Sequence, residues 1–190
     1  GWRGVFGLQW RDVDFQALGE EAFVPPSRTG NLGLFVVEER RIGALTLEGG
    51  LRVERQRIEP REVRAATGEY SGTALSASAG ALWTLAPAAT LAVNLTATGR
   101  HPTATELYAA GPHLAVQRFE FGDATLGIER ARTIDLNLRL GRDGWRLGLA
   151  AFLSDYTDFI YPRLTGALEE DLPVVRFEAT DARLHGVELE

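Results

Sequence analysis

Long stretches of the chain alternate hydrophobic and polar residues with a period of two. In the segment 43–55 the large apolar residues share one parity: Leu45, Leu47, Leu51 and Val53. The residues between them are small, polar or charged, and the segments 73–83, 91–98 and 134–140 repeat the pattern. Because alternate side chains of a strand lie on opposite faces of a sheet, this period predicts strands with one apolar and one polar face.

Eight strands are predicted from this alternation. Their approximate bounds are 2–14, 30–39, 42–56, 71–84, 89–100, 129–141, 145–156 and 176–190. Most are longer than the five or six residues typical of globular sheets. Strands of about ten residues are what a tilted strand needs to cross a bilayer. The predicted fold class is therefore an all-β, antiparallel, up-and-down transmembrane β-barrel.

Short and long connections alternate along the predicted strands. Short turns are predicted near 39–41, at 85–88 around Pro87, and at Arg142-Asp143-Gly144, where Asp-Gly is a hairpin signal. Long connections are predicted at about 15–29, 57–70, 101–128 and 157–175. Outer-membrane barrels have this rhythm, with short periplasmic turns and longer external loops.

Two tryptophans and a set of charged residues fit the same interpretation. Trp83 and Trp145 each lie beside a short turn on the apolar parity, where a periplasmic aromatic girdle is expected. The alternative is that they are ordinary core aromatics at strand ends.

The opposite parity carries charges predicted to face the lumen: Glu48, Arg52, Glu54, Asp135 and Arg139. Unpaired charges are costly in a dry core but not in a hydrated or plugged barrel.

Composition narrows the function classes. The 190 residues include no Cys and carry a formal net charge of −6, which argues against a thiolate metal site, a Cys nucleophile and a nucleic-acid partner. The sequence contains no apolar run long enough for a transmembrane helix, and none of the common catalytic motifs. We therefore predict neither enzymatic activity nor a cofactor.

The connection 101–128 is the richest in groups that could bind a ligand. Its candidates are His101, Glu106, Tyr108, His113, Glu120 and Asp123. Imidazole and carboxylate suit Zn²⁺ and related cations, and His101 and His113 are the candidate metal ligands, although their spacing matches no defined metal motif. Loops on a rigid barrel often carry binding residues, but a polar surface loop with incidental histidines has the same composition.

Several motifs together resemble those of TonB-dependent outer-membrane receptors. The segment from Arg100 to Tyr108, RHPTATELY, resembles the family's R-x-P-x-x-x-E-L-[FY] segment. GPH at 111–113 and FEFGD at 119–123 are similar to a loop of receptors grouped with zinc and other metal uptake. LGIE at 126–129 takes the place of an N-P-x-L-x-P-E stretch but lacks both prolines, and 155–160 and 186–190 resemble the D-x-I and G-x-E-x-E strands.

The resemblance implies a barrel of about 22 strands that encloses an N-terminal plug. Residues 1–190 would then be a partial barrel domain with about eight of those strands, without the plug and the C-terminal strand. The strand-like ends of the chain agree with that expectation. The implied partners are outer-membrane lipid, the TonB complex through the plug, and a metal ion or metallophore. The implied function is active import across the outer membrane of a Gram-negative bacterium.

Two other interpretations stay open at this point. A complete eight-stranded structural or adhesive barrel would close on an interior packed with side chains. A soluble β-sandwich would pack its apolar face against a second sheet.

Overall fold

The structure is a computed structural model that describes residues 1–19, 22–61, 68–142 and 144–190. Five long strands come first: β1 (Trp2–Phe15), β2 (Ser27–Ile42), β3 (Leu45–Pro60), β4 (Tyr70–Ala86) and β5 (Ala89–Arg100). Then follow helix α1 (Ala104–Tyr108), β6 (Ala110–His113), a 3₁₀ turn (Leu114–Val116) and β7 (Arg118–Phe121). The last strands are β8 (Glu129–Arg142), β9 (Trp145–Glu169) and β10 (Leu172–Leu189).

The long strands form an antiparallel meander in which each pairs with the next, in the order β1-β2-β3-β4-β5-β8-β9-β10. This confirms the predicted all-β, up-and-down architecture and its eight strands. In the described part of the chain all strands belong to one sheet, whose two ends do not meet, so the barrel is not closed. A closed eight-stranded barrel and a two-sheet sandwich therefore do not describe it.

Two short strands were not predicted. The hairpin β6–β7 joins the far edge of the sheet, because β7 runs parallel to β10 with Phe119 opposite Val174. Four-residue strands inside a long connection have too little alternation to be recognised by period. The pairing fixes a segment of the 101–128 loop against the start of β10.

Two predicted connections are wrong. The turn between β2 and β3 is at Gly43 and Ala44, not at 39–41, because Gly43 adopts the positive φ (61°) that a tight hairpin turn requires. The predicted long connection at 157–175 is instead the continuation of β9 and β10, which pair up to Leu172 opposite Glu169. Glu170 and Asp171 form the turn with φ of 52° and 63°.

The other short turns are confirmed. Ala86 pairs with Ala89 across Pro87 and Ala88, and Arg142 pairs with Trp145. Asp143 lies outside the described residues, and its neighbour Gly144 has a φ of 91°. The turns after β2, β4 and β8 lie at one end of the sheet. The described parts of the long connections and the turn at Glu170 and Asp171 lie at the other end.

The two faces of the sheet differ as predicted. The apolar face is exposed along its length, for example at Leu51, Leu75 and Ile134, and it includes Trp83 and Trp145. None of the described helices is long and apolar enough to cross a membrane. The buried core is small and lies at the loop end, where Ile58, Leu107, Tyr108, Leu126 and Ile160 pack together.

Candidate functional site

The candidate site is built on the segment that follows β5. Thr103 begins α1 with a capping box: its side chain accepts a hydrogen bond from the Glu106 amide, and the Glu106 carboxylate accepts one from the Thr103 amide. This reciprocal cap stabilises a helix too short to persist by itself. It also directs Leu107 and Tyr108 into the core.

Arg100 ties this helix to the sheet. Its Nη1 donates to both carboxylate oxygens of Glu106, at 3.1 and 2.9 Å. Its Nε and Nη2 donate to the two oxygens of Glu129 at the start of β8. Glu129 is buried and also accepts from the Ile160 amide of β9 at 2.9 Å. Glu106 therefore acts in the structure as a cap and an ion-pair partner.

His101 is buried and both of its ring nitrogens are used. Its Nε2 lies 3.2 Å from the Glu54 carbonyl oxygen, and its Nδ1 lies 2.9 Å from the Tyr70 hydroxyl. A carbonyl can only accept, so Nε2 carries the proton and Nδ1 accepts from Tyr70. This arrangement holds the residue that follows β5 against β3 and β4.

Tyr108 is also a core residue. It is 4% exposed, and its hydroxyl donates to the Gly68 carbonyl oxygen at 3.0 Å. Burial raises the pKa of the Tyr108 phenol above its usual range.

Asp123, in contrast, organises a turn: its carboxylate accepts hydrogen bonds from the amide and the hydroxyl of Thr125.

His113 and Glu120 come together on the β6–β7 hairpin. His113 Nδ1 lies 3.0 Å from Glu120 Oε1, and the Glu120 side chain is only 8% exposed. The His113 ring stacks on Phe23, with centroids 4.3 Å apart. Phe23 belongs to the connection between β1 and β2, and its carbonyl accepts from the Ala110 amide at 2.7 Å. Nδ1 is thus engaged, while Nε2 has no hydrogen bond within the described residues.

An apolar cavity lies beside Phe23, on which His113 stacks. It has a volume of about 460 Å³ and is lined by Phe23, Val24, Leu107, Tyr108 and Phe121, among others. Phe23 therefore contacts His113 and also lines the cavity. Residues 16–19 and 22–26 form one side of the cavity, and residues 107–110, 121, 122 and 124 form the other.

The predicted ligand residues are thus only partly brought together. His113 pairs with Glu120, whereas His101 binds Tyr70 and Glu54, and Glu106 binds Arg100. Across the described ranges no three His, Cys, Asp or Glu residues are grouped as a metal site. The sequence did not indicate Phe23 as a site residue, because Phe23 lies far from His113 in the chain. It also did not indicate the role of Arg100, although Arg100 is the first residue of the R-x-P…E-L-Y motif.

The predicted lumen-facing charges share one face of the sheet. Register aligns Glu48 with Gly80, Asn94 and Asp135 across four strands. On the same face Arg52 is ion-paired with Glu54, and the Asn31 amide donates to Glu54 and Gln56. Arg139 lies on this face of β8. The polar face thus forms a hydrogen-bonded surface; that it lines a lumen stays a prediction.

Comparisons with known proteins agree on one family. The family model described as "TonB dependent receptor-like, beta-barrel" matches residues 1–190.

Three solved structures share the fold. The chain resembles a double mutant of the Serratia marcescens hemophore receptor HasR, in complex with its hemophore HasA and heme, with a TM-score of 0.74 and 18% identity over 99% of this chain and 36% of that one. It resembles the copper transporter OprC, with a TM-score of 0.72 and 21% identity over 86% of this chain and 26% of that one. It also resembles the Neisseria meningitidis iron transporter FrpB, with a TM-score of 0.67 and 16% identity over 99% of this chain and 30% of that one. The chain therefore spans about a third of the length of the structures it matches.

Proposed function

The chain belongs to the TonB-dependent receptor β-barrel family, and from that premise we propose that the receptor containing it imports a scarce metal ion or metal chelate. Receptors of this family are β-barrels of the Gram-negative outer membrane, which establishes the predicted location. They are not enzymes, in agreement with the expectation from the sequence.

The observation that carries the proposal is the pairing of His113 with Glu120. Metal-ligating histidines characteristically engage a carboxylate with one ring nitrogen, which fixes the ring and raises the basicity of the other. Glu120 is buried and holds Nδ1 of His113, so Nε2 is the nitrogen available to a metal. We propose His113 as a ligand and Glu120 as the residue that orients it.

The surroundings of His113 favour a chelate over a fully coordinated free ion. One imidazole supplies one ligand, and no further His or carboxylate completes a set of three within the described residues. A chelate brings most of its own ligands, and the cavity beside Phe23 offers apolar surface for its organic part. The receptors HasR, OprC and FrpB, whose structures carry heme, copper and iron in their names, support this class of cargo.

We further propose that import is energised through TonB. The family membership supports this step. It is tested by comparing uptake in cells with and without a functional TonB system, with the complete receptor expressed in both.

The site is tested in the complete receptor with the substitution His113→Ala. The probes are Zn²⁺, Cu²⁺, heme and a ferric catecholate, each measured as concentration-dependent uptake by whole cells. We expect at least a tenfold rise in the half-saturating concentration for one probe, and a smaller rise for Glu120→Gln. His185→Ala is the matched control, because His185 is exposed on β10 and pairs with Leu153, away from the loop. Unchanged uptake of every transported probe by His113→Ala would refute the proposed role of His113.

A further inference from the structure

The apolar face of the sheet carries a shallow groove across β4, β5, β8 and β9. Its floor is formed by Ala77, Ala79 and Ala97, and its walls include Leu95, Ile134 and Leu153. The groove has a volume of about 480 Å³. It exists because alanines occupy the outward positions of two central strands while leucines and isoleucine occupy those around them.

One end of the groove is formed by Arg132 together with Asp155. The register places Arg132 between Ala97 on β5 and Asp155 on β9, two positions beyond Ile134 toward the long loops. Its side chain is exposed on the same face as the apolar residues. The apolar wall therefore stops at a guanidinium group.

The nearby carboxylate is already engaged. Asp155 Oδ1 accepts from Arg183 Nε at 2.5 Å. Arg130, the next outward residue of β8, lies 3.9 Å from Asp158. For Arg132 itself no ion pair occurs with any described residue. The end of the groove thus presents a positive charge that the surrounding strands do not neutralise.

A guanidinium beside exposed apolar surface fits one class of partner. Arg on the lipid face of a barrel is costly at the bilayer centre but not near the interface, so Arg132 marks the level of the head groups. The planar guanidinium binds phosphate oxygens in pairs. Arg132 lies toward the long loops, which are external in outer-membrane barrels. We propose that the groove binds a phosphate-bearing lipid of the outer leaflet, with an acyl chain over the alanine floor and a phosphate on Arg132.

The lipid site is distinct from the cargo site and does not depend on what the receptor imports. It is tested on the complete receptor in a non-ionic detergent by native mass spectrometry. The probes are dimyristoyl phosphatidic acid and dimyristoyl glycerol, which have the same acyl chains but differ in the phosphate. We expect Arg132→Gln to weaken binding of the phosphatidic acid about fivefold and to leave binding of the dimyristoyl glycerol unchanged. Arg132→Lys should have an intermediate affinity, because it keeps the charge but cannot make the paired bonds.

Two further variants separate the parts of the proposal. Ala97→Phe fills the groove and should weaken binding of both lipids. Arg139→Gln removes the same charge from the opposite face of β8 and should leave both affinities unchanged. Heat-modifiable migration checks that each variant has folded.

Two outcomes would overturn the proposal. One is equal binding of phosphatidic acid by Arg132→Gln and the unmodified receptor. The other is unchanged binding of both lipids by Ala97→Phe, since that result would mean that the acyl chains do not occupy the groove.

Discussion

Arg100 binds Glu129 through two parallel hydrogen bonds, from Nε to Oε1 at 3.1 Å and from Nη2 to Oε2 at 2.9 Å. The same guanidinium holds Glu106 of α1, and Glu129 in turn holds the Ile160 amide. One arginine thus links the end of β5, the helix, the start of β8 and the upper part of β9. These contacts explain why R-x-P, E-L-Y and the later Glu occur together in the sequence.

Replacement of Arg100 by Lys should loosen the 101–128 loop. A lysine ammonium cannot make the paired bonds to Glu129, and the buried carboxylate loses a partner, which costs about 1–3 kcal/mol of local stability. The measurement is hydrogen exchange of the loop amides in the complete receptor, which we expect to become faster over 101–129. Arg130→Lys is the control: Arg130 is exposed and lies 3.9 Å from Asp158, so the change should be about 0–0.5 kcal/mol. Equal exchange in the two variants would contradict the proposed link.

The substitution Tyr70→Phe tests the structural role of His101. It removes the hydroxyl that donates to the buried His101 Nδ1, and an unsatisfied buried acceptor costs about 1–3 kcal/mol. We expect faster protease cleavage near residue 101 with an unchanged half-saturating concentration for uptake. If uptake affinity falls as much as it does in His113→Ala, then His101 belongs to the cargo site after all.

Alkaline pH should open the loop core. Burial raises the pKa values of Tyr70 and Tyr108 above the usual value of about 10, so the unfolded loop loses these protons first. The stabilising contribution of the two phenols is complete below pH 10 and is lost as the pH rises through the higher pKa values of the packed state. Tyrosinate absorbance and the rate of loop proteolysis, measured over the same pH range, should both rise in one transition. Tyr108→Phe should shift that transition, and an identical profile in this variant would exclude the role of Tyr108.

The sequence by itself determined the eight long strands, their two faces and two of the four short turns that join them. The alternation at Leu45–Val53 or Ile134–Leu140 is a local property, because neighbouring side chains of a strand must point in opposite directions. The Pro87 turn and the Arg142–Trp145 hairpin follow from equally local preferences. The motif at 100–108 indicated the family for the same reason, because its residues lie close together in the chain.

Only the tertiary structure decided what the candidate residues do. His101 meets Tyr70 and Glu54, and His113 meets Phe23, across long separations in sequence. The parallel pairing of β7 with β10 and the groove below Arg132 also depend on which strands are neighbours. Local periodicity carries no information on such contacts, because they form between segments that the fold, and not the chain, brings together.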